Sequence, residues 1–268
     1  MAALVLLAGL LAAQGPAYAP LPQPVIEERL KENRRKPAER LAALERLFET
    51  AGCKTETQAV KSVKLPNVIC TLPGSGSGVV LVGAHYDHVM TYGEGVVDNW
   101  SGASLLPSLF ESLKDKPRRY TFVFIGFTDE EKGLVGSRFY AQQMGEAAKA
   151  RTRAMINLDT LGLSFTKLWS SHSDPKLVDA LARVASQMDL PVQGVDVEQV
   201  GTADSESFAP LGIPRITIHS VTQETLPVLH STQDKLSAIK MDDYYATYRL
   251  LAAYLIYLDQ ILAPPSKN

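Results

Sequence analysis

Cysteine is scarce in this chain. Cys53 and Cys70 are the only two among 268 residues, so a metal site here is built from His, Asp and Glu. No charge sign dominates either. Lys and Arg number 27 against 29 Asp and Glu, and the basic residues are scattered apart from the short run Arg34, Arg35, Lys36. Without an electrostatic footprint, nucleic acid is excluded as a partner. There is also no apolar run long enough to insert stably in a membrane. Ala2 to Ala13 is almost wholly apolar, which is too short to cross a bilayer but fits the apolar region of a secretory signal. Small residues and prolines follow it (Gly15, Pro16, Ala17, Ala19, Pro20), while a positive charge ahead of it is missing except for the amino terminus itself. The expectation is a signal peptide over residues 1–19, a secreted or periplasmic location, and a single catalytic domain over 20–268. No internal repeat is evident.

What is present reads as alternating structure. With 46% hydrophobic and 21% charged residues, the chain can bury one large core. From Pro24 to Ala51 the pattern predicts an amphipathic helix, with Leu41, Leu44, Leu47 and Phe48 at helical spacing and Gly52 as its stop. Strand signals follow at Thr55 to Val63, Asn67 to Leu72 and Val79 to Ala84. The glycine-serine run Gly74 to Gly78 between the last two predicts a hairpin turn. Cys53 and Cys70 flank a hairpin about Leu65-Pro66-Asn67. The pairing would bring their sulfurs together, and either a disulfide or two buried thiols would satisfy it. Tyr120 to Thr128 is a nearly continuous β-branched and aromatic run, as a strand buried on both faces requires. Helical signals at Leu134 to Met144, Lys176 to Met188 and Met241 to Leu262 alternate with strand signals at Ala154 to Leu158 and Arg215 to His219. This order predicts an α/β fold, a three-layer α/β/α sandwich around a central, mixed but mostly parallel sheet.

The chemistry-bearing residues fall at strand ends or in the loops after them, where open α/β sheets place their sites. His85 and Asp87 close one strand, Asp98 opens the segment Asp98-Asn99-Trp100-Ser101-Gly102, Asp129, Glu130 and Glu131 close the aromatic strand, and Asp159 closes another. His230 stands in a polar loop near the end. Imidazole and carboxylate donors suit zinc in a site that keeps a coordination position open, which points to metal-assisted hydrolysis. Taken alone, Asp98 reads as a helix cap sooner than as a ligand, and Glu130 and Glu131 as carboxylates at a solvated helix start. His88, His172 and His219 read as hydrogen-bonded or exposed histidines, not ligands. Asp204 reads as a pocket residue or a cap.

Five frames in this order resemble peptidase family M28: Gly83-Ala84-His85-Tyr86-Asp87, Val97-Asp98-Asn99-Trp100-Ser101-Gly102, Thr128 to Ser137 around the paired glutamates, Asn157-Leu158-Asp159, and His230-Ser231-Thr232-Gln233-Asp234. The resemblance spans about residues 37 to 262. It implies two zinc ions, with His85 and Asp159 on one, Glu131 and His230 on the other, and Asp98 bridging both. It implies Glu130 as general base, Asp87 as the residue that orients His85, and a metal-bridging hydroxide as nucleophile. The implied activity is that of an aminopeptidase acting on peptides with a free amino terminus. Glu130, Asp159 and Asp204 are available for the substrate ammonium, and Lys132 is the only cation within these frames. The chain departs from the family at Ser205, where many members carry histidine, and at Pro107, which implies a kink or late start in the helix after Asp98. Loops around 90–95, His172 and 198–208 are expected to shape the substrate pocket.

Two other readings share the frames. A glutaminyl cyclase would close an amino-terminal glutamine onto its own carbonyl without an attacking water, generally with one zinc. A non-catalytic binding module would be expected to lack ligands, and here none is missing.

Overall fold

The computed structural model describes residues 19–61, 63–198 and 201–263; the expected signal segment lies outside them except for its last residue. Eight strands form one sheet in the order β1-β2-β4-β3-β5-β8-β6-β7. They are β1 (Glu56–Gln58), β2 (Asn67–Leu72), β3 (Val79–His85), β4 (Thr121–Phe127), β5 (Thr152–Leu158), β6 (Lys167–Leu168), β7 (Gln193–Gly194) and β8 (Arg215–His219). The four central strands β4, β3, β5 and β8 run parallel, and antiparallel pairs at β2–β4 and β6–β8 extend the sheet on either side.

The parallel centre is covered on both faces, and the strand pleat divides its side chains between two cores. In β4, Phe122 and Phe124 join the larger core while Val123, Ile125 and Phe127 join the smaller one. The larger core packs against α1 (Gln23–Lys31), α2 (Pro37–Ala51), α4 (Leu105–Lys114), α7 (Pro175–Gln187) and α8 (Met241–Ile261). The smaller core lies under α5 (Val135–Gln143) and the 3-10 turn 204–211, through Ala141 and Phe208. The short helices α3 (Ser101–Ala103) and α6 (Glu146–Arg151) complete the helical set. This is the three-layer α/β/α sandwich with a mixed, mostly parallel sheet. Among the described residues, no helix is long and apolar enough to cross a membrane.

Three local expectations are corrected. The run 24–51 is two helices, because Lys36 precedes a proline and is held extended (ψ 134°), while Pro37 starts the second helix at a position where no amide donor is needed. The predicted strand Thr55–Val63 shrinks to β1, whose last partnered residue is Gln58, opposite Asn67. The glycine-serine run is not a hairpin turn. Because β4 lies between β2 and β3, the segment passes the end of β4 instead. Ser75 and Gly76 donate their amides to the carbonyls of Arg118 and Arg119, and a Cβ on Gly74 would sit 2.3 Å from the Tyr120 backbone. Glycine is required there by close approach.

The paired cysteines do form a disulfide, with Cα atoms 6.2 Å apart, and it ties the end of α2 to β2. Pro107 occupies the first turn of α4, which begins at Leu105 and is separated from α3 by Ser104 alone.

Candidate metal centre

The chain runs from β3 to β4 on one side and then crosses to β5 on the other, which makes the carboxyl end of β3 a switch point where the flanking loops diverge. His85 is the last residue of β3, Glu130 and Glu131 follow β4, and Asp159 follows β5. Asp98 lies in the turn Val96–Trp100, and it is no helix cap, because the residue before α3 is Trp100 and the two Asp98 oxygens face His85 and His230. His230 comes from the loop after β8. Four residues around this rim other than glycine take left-handed backbone: Asp129, Leu134, Thr160 and His230, at φ 51° to 60°. Such conformations cost about 1–3 kcal/mol each and persist where surrounding structure enforces them.

The structure brings all five proposed ligands together. His85 Nε2 is 3.2 Å from Asp98 Oδ1 and 3.7 Å from Asp159 Oδ1. His230 Nε2 is 3.2 Å from the other Asp98 oxygen, Oδ2, and 3.1 Å from Glu131 Oε2. Two triads result, His85/Asp98/Asp159 and Asp98/Glu131/His230, each with donor atoms within 4.8 Å of one another. They meet at Asp98, one oxygen to each. Glu130 joins neither triad. It groups instead with His85 and Glu131, its Oε2 lying 4.0 Å from His85 Nε2.

The electrostatics fit a cationic occupant. Burial would raise the Asp98 carboxyl, but hydrogen bonds from His230 and His85 hold it far below the usual carboxylate range. Hydrogen bonds to Asp98 and then Glu131 lift His230 to about 10. Burial opposes a charge on His85, yet Glu130, Asp159, Asp87 and Asp98 together raise it well above its ordinary value. Glu130 is pushed up to about 10 by burial first, then by the negative charges of Asp204, Asp159 and Asp98, against the pull of His85. Arg40 is the buried cation these carboxylates feel, but its donors are committed to the carbonyls of Tyr86 and Gly95 and to Asn33. A crowd of desolvated carboxylates with so little positive charge is what divalent cations relieve.

The surrounding layer explains how the donors are held. Asp87 was expected to orient His85, but the atom nearest His85 Nδ1 is the Asp87 backbone oxygen, at 3.2 Å; the carboxylate is at 3.5 Å. That carboxylate accepts the amides of Glu130 and Glu131 and so clamps the turn that presents them. Asp234 does the same for the amides of Val97 and Asp98. Asn99 donates to Leu158 O and accepts from Gly102 and Thr160 amides, joining the Asp98 and Asp159 loops. Asp234 was visible in the last sequence frame but carried no assigned role. Asn99 stands in the second sequence frame but carried no assigned role, and Arg40 gave no signal, since the carbonyls of Tyr86 and Gly95 that it reaches lie far along the chain.

Other expectations resolve differently. His88 Nε2 lies 2.9 Å from Arg35 O, away from the cleft. His219 lines the cleft, but both its nitrogens are engaged, by Val195 O and the Val221 amide. Asp204 is neither a cap nor a cleft residue. It is fully buried, neither oxygen has a hydrogen-bond partner, and burial followed by nearby Asp159 and Asp87 raises it to about 7 despite His85 and Ser137. Ser205 is buried against Thr217, 2.7 Å between hydroxyls. Of the expected pocket loops, Gly201, Thr202 and Ala203 line the cleft. The 90–95 loop instead packs on the His230 loop, with Glu94 N donating to Asp234 O.

Known proteins share the fold and part of the sequence. Aminopeptidase YwaD of Bacillus subtilis is 30% identical over 172 residues, covering 61% of this chain and 37% of its own. The chain therefore spans well under two thirds of that relative. A solved zinc aminopeptidase from B. subtilis superposes with a TM-score of 0.65 at 25% identity, covering 71% of this chain and 49% of that one. A glutaminyl cyclase from an Acidobacteriales bacterium has the same fold, with a TM-score of 0.75 at 18% identity, over 91% of this chain and 97% of the other. The model of peptidase family M28 matches residues 67–255, the stretch that contains both triads but the helices α1 and α2 not at all, and on that match the chain belongs to peptidase family M28.

Proposed function

We propose that this protein is a zinc-dependent aminopeptidase that hydrolyses the amino-terminal peptide bond, and that it holds two zinc ions. One observation carries the reading: the two oxygens of Asp98 face two separate histidine-carboxylate triads. His85 and Asp159 would hold one ion, Glu131 and His230 the other, with Asp98 shared. When bound, the ions supply Lewis acidity toward the scissile carbonyl and lower the pKa of water.

Glu130 stands beside both triads without belonging to either, and bound cations would offset the burial and the neighbouring negative charges that raise its carboxyl, leaving it ionised to accept a proton. It takes a proton from the attacking water as that oxygen bonds to the carbonyl carbon, and delivers it to the departing nitrogen as the C–N bond breaks. Asp87 keeps Glu130 in place through its backbone amide. The direction of attack follows from the cleft lining, which carries four carboxylates and, among the described residues, no lysine or arginine. A substrate ammonium finds partners at Glu130 and Asp159, whereas a substrate carboxylate finds no cationic clamp. The disulfide supports the expected export, since such bonds persist in oxidising compartments.

The test is hydrolysis of aminoacyl nitroanilides before and after chelation, with zinc restored, alongside an amino-acetylated peptide and a glutaminyl peptide. Zinc-dependent release from free amino termini, with the acetylated peptide untouched, is the expected result. Cleavage of the acetylated peptide from its carboxyl end would overturn the aminopeptidase reading, and ring closure on glutamine without hydrolysis would replace it with the cyclase.

A further inference from the structure

The cleft that contains the two triads encloses about 270 Å³ and continues between Trp169, Val197, Ala203, Val221 and Leu229. His219 belongs to this wall but offers it no free donor or acceptor, as both ring nitrogens are bound to backbone, and burial lowers its pKa. The side chain of a substrate's first residue would therefore meet a wall that is mainly apolar, with Thr202 and Thr217 as its uncharged polar members. Among these residues Trp169 is the bulkiest and is itself buried, so its position sets how much room is left.

Trp169 is held by a brace that no other part of the chemistry uses. Its amide donates to Thr217 O in β8, and its ring is stacked on His172 with centroids 4.3 Å apart and planes 20° from parallel. His172 Nδ1 lies 3.1 Å from Glu206 Oε1, a contact by proximity and not a hydrogen bond. Glu206 in turn takes Arg215 in two bonds, from Nε at 3.0 Å and from an Nη at 3.3 Å. Arg215 begins β8, so the brace runs from the sheet to the back of the indole. Fork-shaped pairing of this kind fixes direction as well as distance.

We propose that Trp169 is a specificity-determining residue that limits the size of the substrate's amino-terminal side chain, and that His172, Glu206 and Arg215 are positioning residues that hold it there. The inference rests on the aminopeptidase reading and adds to it the part of the molecule that selects among substrates. A pocket wall discriminates by about tenfold or more per misfitted group.

The experiment compares alanine, leucine and phenylalanine nitroanilides on the full chain with zinc, for wild type, Trp169→Ala, Trp169→Phe and Glu206→Gln. Trp169→Ala should raise kcat/KM for phenylalanine relative to alanine by about tenfold or more. Glu206→Gln, which leaves the wall in place but releases the brace, should shift the same ratio in the same direction by about threefold. For Glu206→Gln the change should lie in KM more than in kcat. A residue that only supports the fold would lower all three substrates by one factor, and that result overturns the proposal, as does an unchanged ratio. Trp169→Phe, a milder substitution in a buried position, should fall between. Calorimetric titration with free alanine, leucine and phenylalanine reads the same ranking without turnover. If nothing is hydrolysed but the ranking moves with Trp169, the aminopeptidase reading fails and the pocket assignment stands; an unmoved ranking sinks the assignment itself.

Discussion

The larger face of the sheet and its carboxyl edge are built on opposite terms. On the face, Phe122 and Phe124 of β4 stack at 6.5 Å and meet Phe110 of α4, with Phe48, Leu251 and Leu255 buried around them. The packing there is mostly apolar, regular and close, the arrangement that contributes most to stability, and polar groups buried with it, such as Ser104 with Tyr244 and Ser112 with Tyr248, are hydrogen-bonded to one another. At the edge, four residues take left-handed backbone, carboxylates crowd together, and Asp204, Thr128 and Asn157 bury side-chain polar atoms without partners. The edge is costly on its own and persists because the face holds the strands that carry it. A site of this kind concentrates strain and charge where chemistry needs them.

The sharpest way to separate the two regions is at Glu130. Glu130→Gln removes a proton acceptor with almost no change in shape, so turnover should fall by about two to four orders of magnitude while zinc content and thermal midpoint stay close to wild type. Joint loss of metal and activity would move Glu130 into the ligand set.

The cost of the edge should be measurable at Asp204. Its carboxyl is raised to about 7 by burial, so the fold favours the protonated form. The associated stability is present in full below the unfolded value near 3.8 and is lost as pH rises through about 7. In metal-free protein, Asp204→Asn should therefore have little effect at pH 4 and should become stabilising toward pH 8, by on the order of 4 kcal/mol. Denaturant midpoints across that range would show it. A variant equally or less stable at pH 8 would contradict the burial argument.

The face should respond to losing its staple and the edge should not. Replacing Cys53 and Cys70, 17 residues apart, with alanine should cost about 3 kcal/mol by loop-closure entropy. Specific activity at 25 °C should be kept. A loss of zinc in that variant would show that face and edge are more tightly coupled than their packing implies.

The same division explains what could be read from sequence. Strand β8 and the helices α7 and α8 stood out because burial imposes a period on their residues, and the site frames stood out because His85, the paired glutamates and Asp159 each end a strand. What was hidden depends on partners far away in the chain. Gly74 passes against Tyr120, β6 and β7 are two residues long with no period to detect, and Arg40 is recruited to the site by carbonyls of Tyr86 and Gly95. Trp169 carries no signal in the sequence, since its stack on His172 exists only after folding.

Metal content measured on the same sample as activity tests the central claim most directly. With Asp98 shared between two triads, elemental analysis should give two zinc ions per chain at full activity. Asp98→Asn, which weakens both triads at once, should lower occupancy of both ions together. One zinc per chain with full activity, or an Asp98→Asn variant that keeps one ion fully bound and loses only the other, would contradict the account.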